Sequence, residues 1–417
     1  MRWGYNVLIH LASFFLRIIA PLNKKLNLFV SGRKNVFNKL RTFKESNQKV
    51  IWIHVASLGE YEQGLPVLKA LKKQFPDYST LLTFFSPSGY EIKKNNQESD
   101  LTLYLPLDTH SNAKKWVQIL NPSLVFFVKY EFWLNYLHFL KNKNTPTYLI
   151  SGIFRPNQLF FKPYGSFYRK ALNAFTYLYV QNQTSKNLLN NIGLNNVKAY
   201  GDTRFDSVNA LIKKEKTTNQ IIEKFKDNQL LLILGSSWES DEKIFLSQID
   251  FFREFKVKIV IAPHQVGQTH IDNILKSWKT FKPICYTENL NNSQLKKSKL
   301  LIINKIGILK HIYHQGEICY IGGGFNKSGI HNTLEASVYK RPIIFGPNYQ
   351  KFKEANELIK LKGAFSISDQ KELRTILTEL LTNKSFRKAT GDIAGQYTKN
   401  HIGATKRIIE HIINTNF

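Results

Sequence analysis

A glutamate stands where an apolar run gives way to a helical pattern in IWIHVASLGEYEQGLPVLKALKKQF, residues 51–75. The first seven residues predict a buried strand, Gly59 predicts a sharp turn, and the apolar residues that follow recur at helical spacing. We therefore expect Glu60 in the first turn of an amphipathic helix, where the helix dipole keeps its carboxylate ionised at neutral pH. An ionised carboxylate at that place can accept a proton from a hydroxyl group. The structural alternative is a carboxylate that only caps the helix.

A glycine-rich turn follows a second apolar run in CYIGGGFNKSGIHNTLEASVYKRPIIFGP, residues 319–347. Backbone N–H groups at Gly322, Gly323 and Gly324, and at the start of the predicted helix TLEASVY, are expected to bind an anion. The turn matches neither GxGxxG nor GxxxxGK[ST], which disfavours a nicotinamide dehydrogenase and a P-loop kinase. Glu335 is expected to accept hydrogen bonds from ribose hydroxyls; the alternative is an ordinary glutamate on a helix surface.

The stretch ILGSSWESDEKIF, residues 233–245, repeats this arrangement. Ser236 or Ser237 is expected to cap a helix entered at Trp238 and to face a phosphate, and capping alone is the alternative.

Short apolar runs alternate with helix-length polar stretches, which predicts parallel sheets covered by helices on both faces. We expect an α/β chain of two Rossmann-like, doubly wound domains, with the carboxyl ends of both sheets pointing into a cleft between them. Residues 1–22 are expected to form a membrane anchor, 23–210 the first domain and 211–417 the second, with C-terminal helices that can return to the first. The predicted strands are 49–57, 78–86, 101–107, 123–130, 145–152 and 177–182, then 229–237, 257–264, 299–307, 317–324 and 341–347.

The charge balance indicates anionic partners. Lys and Arg number 59 against 30 Asp and Glu, a formal net charge of +29. Nucleic acid, an acidic membrane face and phosphorylated substrates all suit such a chain, and solvated surface lysines are the alternative. No metal-ligand spacing is present, and Cys285 and Cys319 lack a CxxC partner. His54, inside a predicted strand, is expected to be a hydrogen-bonded core histidine.

The N-terminal segment MRWGYNVLIHLASFFLRIIAPL is apolar but interrupted by His10 and Arg17. The uninterrupted apolar run is shorter than the roughly 20 residues of a comfortable membrane span. Aromatic and basic residues predict a helix that lies in, or dips into, the cytoplasmic membrane interface; a core helix is the alternative.

Several stretches together resemble one enzyme family. HVASLGEYEQGLPVL is similar to the HxxSxGExxxxxPL block of the 3-deoxy-D-manno-octulosonic acid (Kdo) transferases, and IGGGFNKSGIHNTLEAS with RPIIFGPNYQKFKEA resembles two further blocks of that family. FFSPSGYE, EFWLN, GDTRFD and LGSSWESDE are additional similarities in the expected order.

The resemblance implies a GT-B glycosyltransferase that transfers Kdo with inversion from CMP-Kdo to a phosphorylated lipid A precursor, without metal or other cofactor. The enzyme would be associated with the cytoplasmic side of the inner membrane. Glu60 matches the catalytic base, and Glu131 and Arg204 match positions that support the transition state. The residues implied in binding CMP-Kdo, together with the serine and glycine singled out above, are Ser236, Pro263, His264, Ile306, Gly307, Ile308, Gly324, Asn332, Thr333, Leu334 and Glu335.

Two alternatives stay open from the sequence. One is another GT-B glycosyltransferase or a nucleotide-sugar epimerase that uses a uridine nucleotide. The other is a basic nucleic-acid-binding protein, which is disfavoured because the aromatic residues lie within predicted strands and no nucleic-acid-binding module is recognisable.

Overall fold

The computed structural model describes residues 2–214, 218–287 and 290–416. The chain divides into two compact units, Met1–Ser207 with Gly403–Phe417, and Val208–Ile402. The chain passes from the first unit to the second between Ser207 and Val208, and the predicted boundary lies between residues 210 and 211. The C-terminal segment belongs to the first unit.

The first unit is built on a parallel sheet. Its strands are β1 (Val50–Val55), β2 (Ser79–Phe84), β3 (Leu101–Tyr104), β4 (Leu124–Val128), β5 (Thr147–Gly152), β6 (Tyr177–Val180) and β7 (Val197–Ala199). They pair in the order β3-β2-β1-β4-β5-β6-β7, every pair parallel. The order reverses between β1 and β4, and the carboxyl ends of strands at such a reversal are where doubly wound sheets bind ligands.

Ten helices, numbered in chain order, precede or follow these strands. They are α1 (Arg2–Ile19), α2 (Lys24–Ser31), α3 (Val36–Ser46), α4 (Leu58–Gln74), α5 (Pro87–Lys93), α6 (His110–Leu120), α7 (Leu134–Asn142), α8 (Ser166–Leu172), α9 (Gln183–Asn190) and α10 (Arg204–Lys214). Short 3-10 segments cover Ala20–Leu22, Leu159–Phe161 and Pro163–Gly165.

The second unit repeats the architecture. Its strands are β8 (Leu231–Ser237), β9 (Lys258–Pro263), β10 (Ile284–Cys285), β11 (Leu300–Ile302), β12 (Ile318–Ile321), β13 (Ile343–Phe345) and β14 (Ala364–Ser366). The parallel order is β10-β11-β9-β8-β12-β13-β14, which reverses between β8 and β12. The prediction of two doubly wound sheets is confirmed.

The remaining helices complete the second unit, except the last of them, α21, which belongs to the first unit. They are α11 (Gln220–Lys226), α12 (Glu239–Leu246), α13 (Ile249–Glu254), α14 (Gln268–Ser277), α15 (Asn292–Lys297), α16 (Leu309–Ile312), α17 (Leu334–Ser337), α18 (Lys353–Lys360), α19 (Gln370–Thr382), α20 (Lys384–Asn400) and α21 (Ala404–Asn416), with 3-10 segments at Lys279–Phe281 and Tyr313–Gln315.

All eleven predicted strands are present, and three strands were missed. The missed strands β7, β10 and β14 are two or three residues long, and each lies at the edge of its sheet. Edge strands bury less surface than central ones, so they need no long apolar run.

Helix α21 completes the core of the first unit. Ile408 and Ile412 are fully buried against the side of the sheet that α4 covers. At its start, the carboxylate of Asp206 accepts hydrogen bonds from the N–H groups of Gly403 at 2.6 Å and Thr405 at 2.7 Å.

The double substitution Ile408→Ala/Ile412→Ala should therefore destabilise the first unit, because each truncation of a buried isoleucine costs about 2–5 kcal/mol. Hydrogen exchange read by mass spectrometry should show lost protection in peptides from α4 and β6. The exposed substitution Lys406→Ala is the control. Lost protection confined to residues 208–402 would contradict the assignment of α21 to the first unit.

Candidate active site

Glu60 lies at the carboxyl end of β1. Helix α4 begins at Leu58, so Gly59 belongs to its first turn instead of forming the sharp turn that was predicted. The Glu60 carboxylate folds back over the short segment between β1 and α4, and its Oε2 accepts a hydrogen bond from the N–H of Ala56 at 2.5 Å. Only 9% of Glu60 is exposed. The predicted place in the first helical turn is confirmed, and the side chain is far more enclosed than a surface cap.

This enclosure changes the charge state expected of Glu60. Burial raises the pKa of Glu60, the nearby charge of Glu131 raises it further, and the Ala56 N–H and Lys129 offset part of the effect, leaving a pKa of about 7. The expectation that the helix dipole keeps this carboxylate fully ionised at neutral pH was therefore wrong. Loss of water around a charged group outweighs a dipole worth a fraction of a kcal/mol.

Glu131 follows β4, the neighbour of β1 in the sheet. Its Oε2 contacts Nε2 of His54 at 3.1 Å and accepts a hydrogen bond from Nε1 of Trp133 at 2.7 Å. His54 is fully buried, and its Nδ1 lies 2.9 Å from Oγ1 of Thr83 on β2. The prediction of a hydrogen-bonded core histidine is confirmed. What the sequence did not reveal is that His54 fixes the position of Glu131, a contact that depends on which strands are neighbours.

Two residues with left-handed backbone shape this edge of the sheet. Lys129, directly after β4, has φ +67°, and Ser151, at the end of β5, has φ +52°. Side chains with a Cβ rarely adopt this conformation, and it clusters at functional sites. The turn at Lys129 brings the chain round so that Glu131 reaches His54.

Arg204 lies at the start of α10 and is held by Asp202. Its Nε and Nη2 each lie 2.8 Å from Oδ2 of Asp202, while Oδ1 accepts a hydrogen bond from Nε2 of Gln63 at 3.0 Å. Burial alone would raise the pKa of Asp202, but the charge and hydrogen bonds of Arg204 outweigh it and hold that pKa below its ordinary value.

The loop that carries Arg204 is also bonded to the sheet and to α4. Oγ1 of Thr203 donates to the carbonyl of Gln63 at 2.6 Å and lies 2.7 Å from Oγ of Ser151. Helix α4 carries Glu60 and bonds to the loop that carries Arg204, and Glu131 follows the strand beside β1. The three predicted catalytic residues therefore belong to one connected region of the first unit.

In the second unit, the predicted donor-site residues follow four strands, β11, β9, β8 and β12, that are neighbours in the sheet. Ser236, at the end of β8, has left-handed backbone with φ +54°. The serines do not cap α12 as predicted, because Oγ of Ser237 donates to Glu242 at 2.8 Å and the N-cap residue is Trp238. Asp241, in the first turn of α12, completes the start of the helix, because its Oδ2 accepts a hydrogen bond from the N–H of Trp238 at 2.9 Å.

The glycine-rich turn after β12 packs closely against neighbouring backbone. The N–H of Gly322 donates to the carbonyl of Gly235 at 2.8 Å, and the N–H of Gly323 donates to Asp241 at 2.9 Å. Two of the three amides expected to bind an anion therefore have protein acceptors. A Cβ on Gly322 would lie 2.2 Å from the carbonyl oxygen of Ser236, and one on Gly324 would lie 2.5 Å from the nitrogen of Gly346. These glycines allow neighbouring backbones to approach closely.

Three rings stack at the same edge. The centroid of His264, which follows β9, lies 4.6 Å from that of Trp238 and 4.4 Å from that of His331. Nε1 of Trp238 donates to Nε2 of His331 at 3.1 Å. Burial, reinforced by His264, lowers the pKa of His331 to about 4, so the accepting nitrogen carries no proton at neutral pH. Pro263, the last residue of β9, is buried and directly precedes His264 in the chain.

Asn332, Thr333, Leu334 and Glu335 form the start of α17. That helix has only four residues, much shorter than predicted. Oδ1 of Asn332 accepts from the N–H of Leu334 at 3.1 Å, and its Nδ2 donates to Oε1 of Glu335 at 3.3 Å. Asn332 therefore holds the glutamate carboxylate on the loop side of α17.

The loop after β11 contains the remaining predicted residues, Ile306, Gly307 and Ile308. Ile306 is 72% exposed, and Gly307 has φ +94°. An exposed apolar side chain beside a left-handed glycine is a surface available for contact with a ligand.

Within the ranges that the structure describes, no group of three His, Cys, Asp or Glu side chains is arranged to hold a metal ion. Cys285 and Cys319 are free thiols.

The two sheets, each with polar residues after the strands where the order reverses, define an α/β enzyme of the GT-B fold class. A crystallised UDP-N-acetylglucosamine 2-epimerase has a similar fold, with a TM-score of 0.61 and 13% identity over 88% of this chain and 95% of that one. The UDP-GlcNAc 2-epimerase of Neisseria meningitidis bound to UDP-GlcNAc is similar at a TM-score of 0.58 and 14% identity, covering 88% and 100%. At such identities the likeness concerns the fold alone.

Sequence comparison shows similarity to one enzyme family. Residues 33–207 match the protein-family model described as 3-Deoxy-D-manno-octulosonic-acid transferase (kdotransferase). The 3-deoxy-D-manno-octulosonic acid transferase of Aquifex aeolicus is 28% identical over 80% of this chain and 86% of its own length. The transferases of the same name from Chlamydia muridarum and Rickettsia prowazekii are each 25% identical, over 84% and 87% of this chain and 82% and 79% of theirs. The chain is therefore similar to the Kdo transferases along most of its length, and this similarity supports a glycosyltransferase that acts on Kdo.

The raised pKa of Glu60 has a consequence for stability. The folded protein holds the Glu60 proton up to pH about 7, whereas an unperturbed glutamate releases it near 4.5. This carboxyl therefore destabilises the folded state progressively as pH rises from about 4.5 to about 7. Glu60→Gln removes the ionisation and keeps an oxygen for the Ala56 N–H, so its Tm should exceed that of the wild type at pH 8, with a smaller difference at pH 5.

Thermal unfolding at both pH values measures this effect. The exposed Glu45→Gln on α3 is the control, and it should change Tm equally at the two pH values. A wild-type protein more stable than Glu60→Gln at pH 8 would contradict the raised pKa.

Proposed function

We propose that this enzyme transfers Kdo from CMP-Kdo to a hydroxyl group of a phosphorylated lipid A precursor, lipid IVA, with inversion at the anomeric carbon and with Glu60 as general base. The observation that carries the proposal is the buried carboxyl of Glu60, in a sequence block similar to that of the Kdo transferases. A base works best with a pKa near the operating pH, because it must both be ionised and attract a proton. A pKa of about 7 meets both conditions.

The chemistry assigns the proton and the leaving group as follows. The acceptor hydroxyl oxygen attacks the anomeric carbon, C2 of Kdo, while its proton passes to a carboxylate oxygen of Glu60. The bond between C2 and the phosphate oxygen breaks, and its electron pair leaves with CMP. Glu60 afterwards releases the proton to water.

Glu131 and Arg204 are proposed to support the transition state. Glu131 raises the basicity of Glu60 through its charge, and His54 and Trp133 hold it at a fixed place. The attachment of Arg204 to Asp202 at two nitrogens limits its motion, as a preorganised cation requires.

The second unit is proposed to bind CMP-Kdo. The carboxylate of Glu335, held by Asn332, suits ribose hydroxyls. The stacked rings at His264 offer a face for an aromatic base. Ser236, Pro263, Gly324, Thr333, Leu334 and the loop of Ile306, Gly307 and Ile308 complete the proposed contacts. The proposal includes no metal or other cofactor.

We further propose that the enzyme works on the cytoplasmic face of the inner membrane and that α1 lies in the membrane interface. Trp3–Leu22 is long and apolar enough to cross a membrane by length and composition. However, Tyr5 donates to Asp108 at 2.7 Å, Asn6 accepts from Asn135 at 2.8 Å, and Leu16 is half-buried near the other end of the helix. A helix attached along one side to a folded unit cannot cross a bilayer while that packing holds.

The opposite side of α1 is apolar and exposed. Seven large side chains contribute, exposed by 45% to 80%: Trp3, Leu8, Leu11, Phe14, Phe15, Ile18 and Ile19. Exposed apolar surface of this extent is typical of a membrane or protein contact, and a phosphorylated lipid substrate favours the membrane.

Glu60→Gln should lower the rate of Kdo transfer by about 10²–10⁴-fold, the usual contribution of a general base. The affinity for CMP-Kdo should stay within about twofold, because Glu60 is not assigned to the donor. Mass spectrometry of tetraacylated, bisphosphorylated lipid A precursor after incubation with CMP-Kdo measures the product. Glu62→Gln, on the same helix, is the matched control.

Wild-type turnover should fall about tenfold for each pH unit below about 7.

CMP, and not UDP, should raise the Tm of the wild type; protection by UDP alone would favour the uridine-nucleotide alternative. Unchanged transfer by Glu60→Gln would remove the base assignment.

The triple substitution Leu8→Ser/Phe14→Ser/Ile18→Ser should lower binding to anionic phospholipid vesicles at least tenfold, because it removes apolar area from the exposed side of α1. Co-sedimentation measures binding. The control replaces three exposed apolar residues elsewhere, Ile92, Leu159 and Leu361, by serine. Equal sedimentation of the two variants would contradict the role of α1.

A further inference from the structure

A cavity of about 550 Å³ lies in the first unit, bordered by α1, α2 and α3 and by the segment that follows β3. Its volume is within the range of sites that hold small molecules, about 300–1,000 Å³. None of the residues assigned above to the base, the transition state or the donor lines it.

One part of the cavity wall is apolar. Leu16 contributes from α1, Phe29 from α2, Phe37 from α3, and Leu107 from the segment after β3. These side chains come from four separate elements, so the apolar wall is a feature of the folded unit and not of one helix. Such a wall suits an aliphatic chain.

The other part of the wall carries positive charge. Arg17, Arg33 and Lys34 line the cavity, and no carboxylate of the described part of the chain does. Among the residues that the structure describes, Arg17 and Lys34 make no ion pair. Their charges are available to a ligand.

Arg33 is a fixed part of this wall. Its guanidinium donates to the carbonyl oxygens of Leu105 at 2.9 Å, Phe29 at 2.6 Å and Phe85 at 2.7 Å. Burial lowers its pKa to about 10, so it stays charged at neutral pH. The three carbonyls use three of five N–H donors and leave the net charge unbalanced.

A chain of contacts connects the cavity with the candidate active site inside the same unit. Arg33 bonds to Phe85, the ring of Phe85 lies 4.6 Å from that of Trp133, and Trp133 donates to Glu131. Three residues, Arg33, Phe85 and Trp133, therefore link a ligand in the cavity to the carboxylate of Glu131.

We propose that this cavity binds an acyl chain of the acceptor together with a phosphate group of the same molecule. The aliphatic chain covers the apolar wall, and the phosphate accepts hydrogen bonds from Arg17, Arg33 and Lys34, which guanidinium and ammonium groups donate strongly. The inference rests on the proposed function and adds to it the place where the lipid part of the acceptor is held.

Direct binding tests the cavity separately from catalysis. Dihexanoyl phosphatidic acid, below its critical micelle concentration, should raise the Tm of the full-length protein, and dihexanoyl phosphatidylcholine and inorganic phosphate should not. Arg17→Gln/Lys34→Gln should weaken phosphatidic acid binding at least tenfold. Arg41→Gln/Lys39→Gln removes the same charges from exposed positions on α3 outside the cavity, and should bind as the wild type does. Leu16→Trp, which fills the apolar part, should weaken binding while leaving the charges in place.

Steady-state kinetics in mixed micelles then identify the natural occupant. Arg17→Gln/Lys34→Gln should raise the KM for the tetraacylated, bisphosphorylated acceptor about tenfold, with kcat and the KM for CMP-Kdo within twofold of wild type.

Phosphatidylcholine binding as tight as phosphatidic acid binding, or undiminished binding by Arg17→Gln/Lys34→Gln, would overturn the phosphate site. An unchanged acceptor KM together with lost phosphatidic acid binding would show that a bilayer phospholipid occupies the cavity, and would overturn the acceptor assignment. A wild type without transfer activity but with normal phosphatidic acid binding would overturn the proposed function and leave the cavity chemistry intact.

Discussion

Two carboxyl groups share a poorly hydrated edge of the first sheet, and burial together with their mutual repulsion governs the chemistry assigned to it. Glu60 and Glu131 follow the adjacent strands β1 and β4, where the strand order reverses. Removing water from both groups makes a second negative charge costly, so one of the two keeps its proton to a higher pH. Glu131 has the stronger support, from His54 and Trp133, and the pKa of Glu60 rises to about 7.

The surrounding fold maintains that unfavourable arrangement. Left-handed backbone at Lys129 and Ser151 redirects the chain where β4 and β5 end. Thr203 and Asp202 bond the Arg204 loop to α4, and α21 buries Ile408 and Ile412 on the side of the sheet that α4 covers. A strained site persists only when many other contacts determine its geometry, and the C-terminal return of the chain supplies part of that packing.

The sequence was sufficient for the central strands and for the place of Glu60, because apolar runs and helical periodicity are local signals. It failed where the outcome depends on long-range burial. The pKa of Glu60 could not be predicted without knowing how closely Glu131 lies, and the His54–Glu131 contact required the strand order. The glycine-rich turn misled for a related reason. Glycine permits both anion binding and close backbone packing, and only the position of Gly322 against the Ser236 carbonyl distinguishes the two. Short edge strands such as β10 left no periodic signal at all.

Burial and a neighbouring carboxylate together give Glu60 a pKa near neutrality. Carbon-13 NMR of protein labelled at the glutamate carboxyl carbons, with the Glu60 signal assigned from the Glu60→Gln spectrum, measures that pKa directly. The account predicts a midpoint near pH 7 in the wild type and a lower midpoint in Glu131→Gln, where the repulsion is removed. A wild-type midpoint near 4.5, unaffected by Glu131→Gln, would contradict it.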